Sequence, residues 1–502
     1  MKLRAAALLL IPAAVFGAEF QSGQAAWAVI GQSSFTSREP GLAVTSLVVA
    51  RDRLYAADLS NRLWTYDLLK IGKVQDDAAS RAGNGCLVCN FAPLGETNES
   101  VMPGVAAVSV WGKTVAVADP ANHRVLIWRD STSPRPDRGP DVVLRGAREG
   151  AAAGPGTLVN PVSVALDGRH VFVGDTALHR ILVWNSIPVS ANQSADAVLG
   201  QPDFETTSAP ETPGPGSLAD PVAMASDGNN LFVADAASRR ILVFAPADVP
   251  LSSESIVNSA SLASGPLAPG TLVSIIGRDL SEEPEASDAD ANHSLPKRLA
   301  RTEVIFDGQA LPLFSVSPNE IQAQLPYDLA KRSAASLHVR SEHSNGDVTV
   351  TSSVSVSLVS ASPGLFASGG NEPREALLRH AGQSETSDEG LPVTQGTPVK
   401  PGELVTLWAT GLGAVSDPES DRPLVAGVPA PASIEVAVPV TARINGQSVD
   451  VIGARIPEGA VGVYEIQIAI PYGIGPDSQA RLTVAQNGSA SNTVIFPFQA
   501  TQ

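Results

Sequence analysis

Short apolar runs separated by polar turns recur along the first half of the chain in one fixed order. ADPANHRVLIW (Ala118–Trp128), GDTALHRILVW (Gly174–Trp184) and ADAASRRILVF (Ala234–Phe244) each read as a strand end, a polar turn and a second strand opened by a basic residue. Four units align: Leu47–Tyr66, Val105–Trp128, Pro161–Trp184 and Pro221–Phe244. Asp58, Asp119, Asp175 and Asp235 mark them, and Arg62, Arg124, Arg180 and Arg240 follow each marker. Successive markers are 61, 56 and 60 residues apart (119−58, 175−119, 235−175). A repeat of about this length means a propeller or a solenoid. Each unit holds three runs rich in β-branched and aromatic residues, such as VSVAL, HVFVGD and RILVW, and these predict strands.

A fourth run precedes the first strand of a unit. It reads DAVLGQPDF over Asp196–Phe204 and DVVLRG over Asp141–Gly146. AWAVIGQSSF, Ala26–Phe35, matches the former. The chain therefore begins on a fourth-strand motif, and the last unit ends on its third strand. A ring closes if the N-terminal strand completes the last unit, which leaves no bare sheet edge. The expectation is a four-bladed β-propeller over residues 20–247. The recurrence also decides between two roles for the Asp and Arg. A residue needed once for catalysis does not return in every unit, so the pair is expected to organise the turn.

Past Pro246 the pattern changes to strict alternation, as in VTVTSSVSVSL and YEIQIAI, which predicts strands with one buried face. LAPGTLVSIIGRDL (Leu267–Leu280) returns as VKPGELVTLWATGL (Val399–Leu412). The hairpin signals FDGQ and INGQ stand at matching places. Two copies of one domain are expected, over residues 253–360 and 361–502, each an immunoglobulin-like sandwich. The fold class is thus all-β.

Two resemblances add to this reading. The phrases LFVAD or VAVAD, then NHR or a variant, then VLIW resemble the NHL-repeat propeller family; the NHR triplet is complete only at Asn122, His123 and Arg124. Blades here are longer and fewer than is usual for that family. IVNSASLASGPLAPGTLVSIIGRDL, with SPGLF at Ser362–Phe366 and the Gly-Leu-Gly after LWAT, is similar to the Solibacter-type C-terminal domain of secreted acidobacterial proteins. That resemblance implies a bacterial, exported protein. The domain family has no assigned function, so it implies no chemistry.

The N-terminus supports export. Lys2 and Arg4 precede the apolar run Ala5–Phe16, and Gly17 and Ala18 are small, so residues 1–18 read as a signal peptide. The run is too short for a membrane anchor. A secreted, periplasmic or cell-surface location follows. Net charge is −17, and removing Lys2 and Arg4 makes it −19 (−17−2). Such acidity argues against nucleic acid and anionic membranes as partners. Cys86 and Cys89 are the only cysteines, and export makes a local disulfide between them the expected state.

The search for chemistry returns little. There is no G-x-S-x-G, HExxH or P-loop motif, and the seven histidines do not cluster. The innermost strands LVVA, VAAVSV, VSVAL and VAMAS offer Ser109 and Ser163 but no acid or histidine. NHL-type lyases and hydrolases use a channel metal, and their ligands find no match here, so no cofactor or metal is expected. The acidic stretches Ser281–Ser294 and Ser416–Ser433 lack EF-hand spacing and read as solvated loops. The sequence points to a non-catalytic binding or adhesion scaffold for an extracellular protein or polysaccharide. A propeller enzyme and a structural envelope component are the alternatives.

Overall fold

The computed structural model describes residues 18–32, 34–37, 44–50, 53–58, 62–68, 86–89, 107–129, 140–146, 152–287, 294–329, 332–369, 371–381, 390–416, 422–473 and 478–499. The protein is all-β and its strands pair almost entirely antiparallel. No described helix is long and apolar enough to cross a membrane. Apart from Ala18, the expected signal peptide lies outside the described residues.

Sixteen strands stand among the described residues of the first half. They are β1 (Ala28–Ile30), β2 (Val44–Ala50), β3 (Arg53–Asp58), β4 (Arg62–Asp67), β5 (Cys86–Cys89), β6 (Ala107–Trp111), β7 (Thr114–Asp119) and β8 (Arg124–Trp128). Then come β9 (Val142–Arg145), β10 (Pro161–Leu166), β11 (Val171–Asp175), β12 (Arg180–Trp184), β13 (Ala197–Leu199), β14 (Pro221–Ser226), β15 (Leu231–Asp235) and β16 (Arg240–Phe244). They form four sheets of four strands. The first is β2-β3-β4-β5, the second β6-β7-β8-β9, the third β10-β11-β12-β13 and the fourth β14-β15-β16-β1. The N-terminal strand thus completes the last sheet, with Ala28 opposite Val243 and Ile30 opposite Ile241. The fourth strand of the first sheet is CLVC itself, pairing Arg62 with Cys89. The cysteine side chains lie outside the described residues, and so do those of Asp58 and Arg62.

The sheets stack through their first strands in the order β6, β10, β14, β2. Three apolar cores fill the joints. Val125 and Ile127 of the second sheet meet Val173 and Trp184 of the third. Phe172 and Ile181 of the third meet Val233 and Phe244 of the fourth. Phe232 and Ile241 of the fourth meet Leu54 and Tyr66 of the first. β11, β12, β15 and β16 are buried along their whole length because both faces are covered. β8 alternates between buried and half-buried because only one of its faces is.

The second half holds two sheet pairs, each closed over its own core. Val273, Ile321, Val304 and Leu337 stand in the first core, and Leu407, Ile466, Ile444 and Leu482 in the second. The two pairs are joined by buried polar contacts. Thr410 Oγ1 accepts from Leu272 N–H (2.9 Å) and donates to Gly462 O (2.8 Å). Gln324 Oε1 accepts from Gly427 N–H (2.6 Å), and Arg374 donates to Ala260 O (2.7 Å). The N-terminal half meets the first sheet pair through Ala25 N–H on Ser353 O (2.9 Å) and an edge-on contact of Trp27 with His338.

Candidate functional site: the Asp–Arg junctions and a neighbouring cleft

The recurring Asp and Arg sit where the second strand of a sheet hands over to the third. Each pair is register-matched: Asp119 with Arg124, Asp175 with Arg180, Asp235 with Arg240. In the third and fourth sheets most of their bonds go to backbone. The Asp235 carboxylate accepts from Ala219 N–H (3.0 Å), Asp220 N–H (2.8 Å) and Arg240 Nε (3.0 Å). The Asp175 carboxylate accepts from Val159 N–H (3.0 Å) and Asn160 N–H (2.7 Å). The guanidinium groups reach the loops that carry the fourth-strand motif. Arg180 donates to Phe204 O (2.5 Å) and Thr157 O (2.9 Å), and Arg240 donates to Phe35 O (2.6 Å) and Ser217 O (2.7 Å). Phe204 and Phe35 close the matching phrases GQPDF and GQSSF.

Asp175, Arg180, Asp235 and Arg240 are all fully buried. Burial pushes the Asp175 carboxyl up against the pull of its backbone donors, and it pushes the Arg180 guanidinium down. Asp119 differs. Its burial also acts upward, but bonds from Arg124 and Asn122 outweigh that and hold the carboxyl below its ordinary value. Arg124 is 35% exposed, so this junction is the most open of the three described.

The histidines of the motif serve the same joints. His123 and His179 both take left-handed backbone, at φ 51° and 54°. Each Nδ1 lies 2.5 Å from a carbonyl ahead of the next sheet, Val159 O and Ala219 O respectively. Ser109 Oγ accepts from Leu166 N–H (3.0 Å), and Ser163 Oγ bonds Pro221 O (3.4 Å), so the two inner serines also bridge sheets. Asp175, Arg180, Asp235, Arg240, His123, His179, Ser109 and Ser163 are therefore engaged with backbone of the fold, while Arg124 and Asn122 bond the carboxylate of Asp119. Among the described residues no three His, Cys, Asp or Glu side chains gather as a metal site.

The acidic loop at Glu282 is anchored where it is described: its carboxylate accepts from Arg301 (2.9 Å) and from Ser344 N–H (2.7 Å).

One cleft of about 860 Å³ opens beside the third sheet, between the N-terminal segment and the loop after β12. Glu19, Gln21, Arg169, Asn185 and Asp196 supply its polar wall. Arg169 donates to Ala18 O (3.1 Å) and to Glu19 Oε1 (3.2 Å), and Phe20 N–H donates to Asn185 Oδ1 (3.3 Å). Sequence reasoning missed this cleft. Its residues come from four separate stretches, 19–22, 168–169, 185–187 and 196, which nothing along the chain brings together.

Neither a family profile nor a curated protein sequence matches the chain. Solved structures align loosely. The computationally designed Ika4 protein is 14% identical over 43% of this chain and 98% of its own, with a TM-score of 0.17. Glutaminyl cyclase of Myxococcus xanthus is 7% identical over 46% of this chain and 94% of its own, at 0.19. The D00-D0 domain of intimin is 12% identical over 48% of this chain and 98% of its own, at 0.13. Scores this low leave the argument with the residues themselves.

Proposed function

We propose that the protein is an exported, non-catalytic binding scaffold: a four-bladed NHL-like propeller that presents loops, carried on two immunoglobulin-like sandwiches. The observation that carries this reading is the fate of the repeated charges. Asp235 and Arg240 are fully buried and bonded to each other and to four backbone groups, so they hold loops and face no substrate. Binding then belongs to the loops, which a rigid scaffold positions for recognition. An extracellular protein or polysaccharide is the partner class that suits an exported, strongly acidic chain. The buried contacts at Thr410 and Gln324 support a stiff tandem stalk over a flexible tether.

The test is thermal unfolding of the mature protein, stripped with chelator and then given calcium or zinc. A ligand bound only by the folded state raises the melting temperature with its concentration. No shift is the expected result. A shift in the transition of the N-terminal half would overturn the reading in favour of a channel-metal enzyme. Retention of the chelated protein on an immobilised panel of polysaccharides and envelope proteins then assigns the partner class.

A further inference from the structure

Trp111 ends β6, and its indole reaches two neighbouring sheets. A Cβ built on Gly168 of the third sheet would stand 2.5 Å from its Nε1, and one on Gly228 of the fourth 3.1 Å from its Cη2. Both glycines stand in the turn between the first and second strands of their sheets, at φ 93° and 96°. Glycine alone combines that backbone with room for the ring. The indole is held from behind and is still 38% exposed. Among the described residues its N–H has no hydrogen-bond partner.

Gly168 also lines the cleft beside the third sheet, so indole and cleft adjoin. A volume of about 860 Å³ is that of a small-ligand site. The fold fixes the walls. Glu19 exchanges two backbone hydrogen bonds with Ala247 (3.1 and 2.9 Å). Phe20 stands edge-on to His170 and Phe172, 5.2 Å from each. Ser22 Oγ accepts from Val198 N–H (3.2 Å). A preformed wall spares a ligand the cost of ordering it.

The polar groups of the cleft are not all spent. Among the described residues the side chains of Gln21 and Ser186 make no hydrogen bond. The amide nitrogen of Asn185 and one carboxylate oxygen of Asp196 are also unused, since Asn185 accepts through Oδ1 and Asp196 through Oδ2. Donors and acceptors are therefore mixed. The guanidinium of Arg169 is already on Glu19 (3.2 Å), and Asp196 adds a second carboxylate, so an anion is disfavoured. Hydroxyl groups both give and take hydrogen bonds. A pyranose with equatorial hydroxyls also turns C–H bonds towards the negative face of an indole. We propose that the cleft and Trp111 form a binding subsite for a neutral polysaccharide of such pyranoses, with one sugar stacked on Trp111 and its neighbours along the cleft. This deepens the scaffold reading above and rests on it.

The experiment titrates the full mature chain in a calorimeter with neutral hexasaccharides of the glucan, xylan and chitin series, and with hexagalacturonate as the anionic comparison. The expected result is binding of at least one neutral series and none of hexagalacturonate. Trp111→Ala should weaken that binding about tenfold, and Gln21→Ala roughly fivefold. The Gln21 side chain bonds nothing in the fold, so its variant tests the subsite even if Trp111→Ala fails to fold. Affinity unchanged in the variants overturns the subsite and leaves the scaffold reading standing. Retention on envelope proteins with no hexasaccharide bound does the same. A preference for hexagalacturonate also overturns the subsite. Cleavage of a bound hexasaccharide, with affinity still lost in the variants, upholds the subsite and overturns the non-catalytic reading.

Discussion

Arg240 Nη1 donates to the carbonyl oxygen of Phe35 across 2.6 Å, and the two residues stand 205 apart in sequence. The bond ties the last repeat to the loop that follows the N-terminal strand. The equivalent bond of the third sheet, Arg180 to Phe204 O, spans only 24 residues. One local rule thus does two jobs: it links neighbouring repeats, and at the end of the series it fastens the start of the chain to its end.

Arg240→Ala is expected to destabilise the N-terminal half by about 3–5 kcal/mol, because it strands the buried Asp235 carboxylate. Arg124→Ala removes a partly exposed partner and should cost no more than about 1 kcal/mol. Urea unfolding of the two variants, side by side, measures the contrast. Equal losses would show that burial does not rank these junctions.

Deleting residues 19–30 removes β1 and bares the edge of β16. An exposed edge recruits other chains, so the truncated protein should associate or aggregate where the full chain does not. Size-exclusion chromatography with light scattering reads this directly. A truncated protein with unchanged size and melting temperature would show that β1 does not guard the edge.

His338 gives the acid side of the stability profile a predictable slope. Burial pushes its imidazole down to about 4, against Trp27 where the two halves of the chain meet. The unfolded chain takes up that proton near pH 6.5 and the folded chain only near 4. Stability is therefore complete above pH 6.5 and is lost as pH falls towards 4, by roughly 3 kcal/mol in all. His338→Gln should flatten the profile in that window. An unchanged slope would assign it to other groups.

Gly411 and Gly446 separate strain from contact. Both have positive φ, 78° and 82°. A Cβ on Gly411 would stand 2.1 Å from Ser362 O where the two sheet pairs meet, whereas one on Gly446 meets nothing within 4 Å. Gly446→Ala should cost about 1 kcal/mol for the left-handed backbone alone. Gly411→Ala should cost at least ~2 kcal/mol more, because backbone must move. Thermal unfolding compares the two.

Much of this organisation could be read along the chain. The all-β class, the four-strand unit and completion of the last sheet by AWAVI follow from local patterns, because strand propensity and turn chemistry act over a few residues. The recurrence of Asp235 and Arg240 was legible too, but not that Arg240 would bond its aspartate while Arg180 reaches only backbone carbonyls. CLVC was not legible as a strand. Two cysteines invite a chemical reading, and nothing after them repeats the GQ phrase that follows β1 and β13.

The sequence by itself determined the units and the order in which they follow. Periodicity and turn residues are local properties, and each copy states them anew. Tertiary structure alone decided which Arg is sealed and which is open, that Thr410 and Gln324 lock the two sheet pairs of the second half together, and that one sheet face stays half-covered. Those outcomes depend on what packs against each residue from far along the chain. Val117 and Val173 fill equivalent places in the repeat, and only their neighbours make one half-exposed and the other buried.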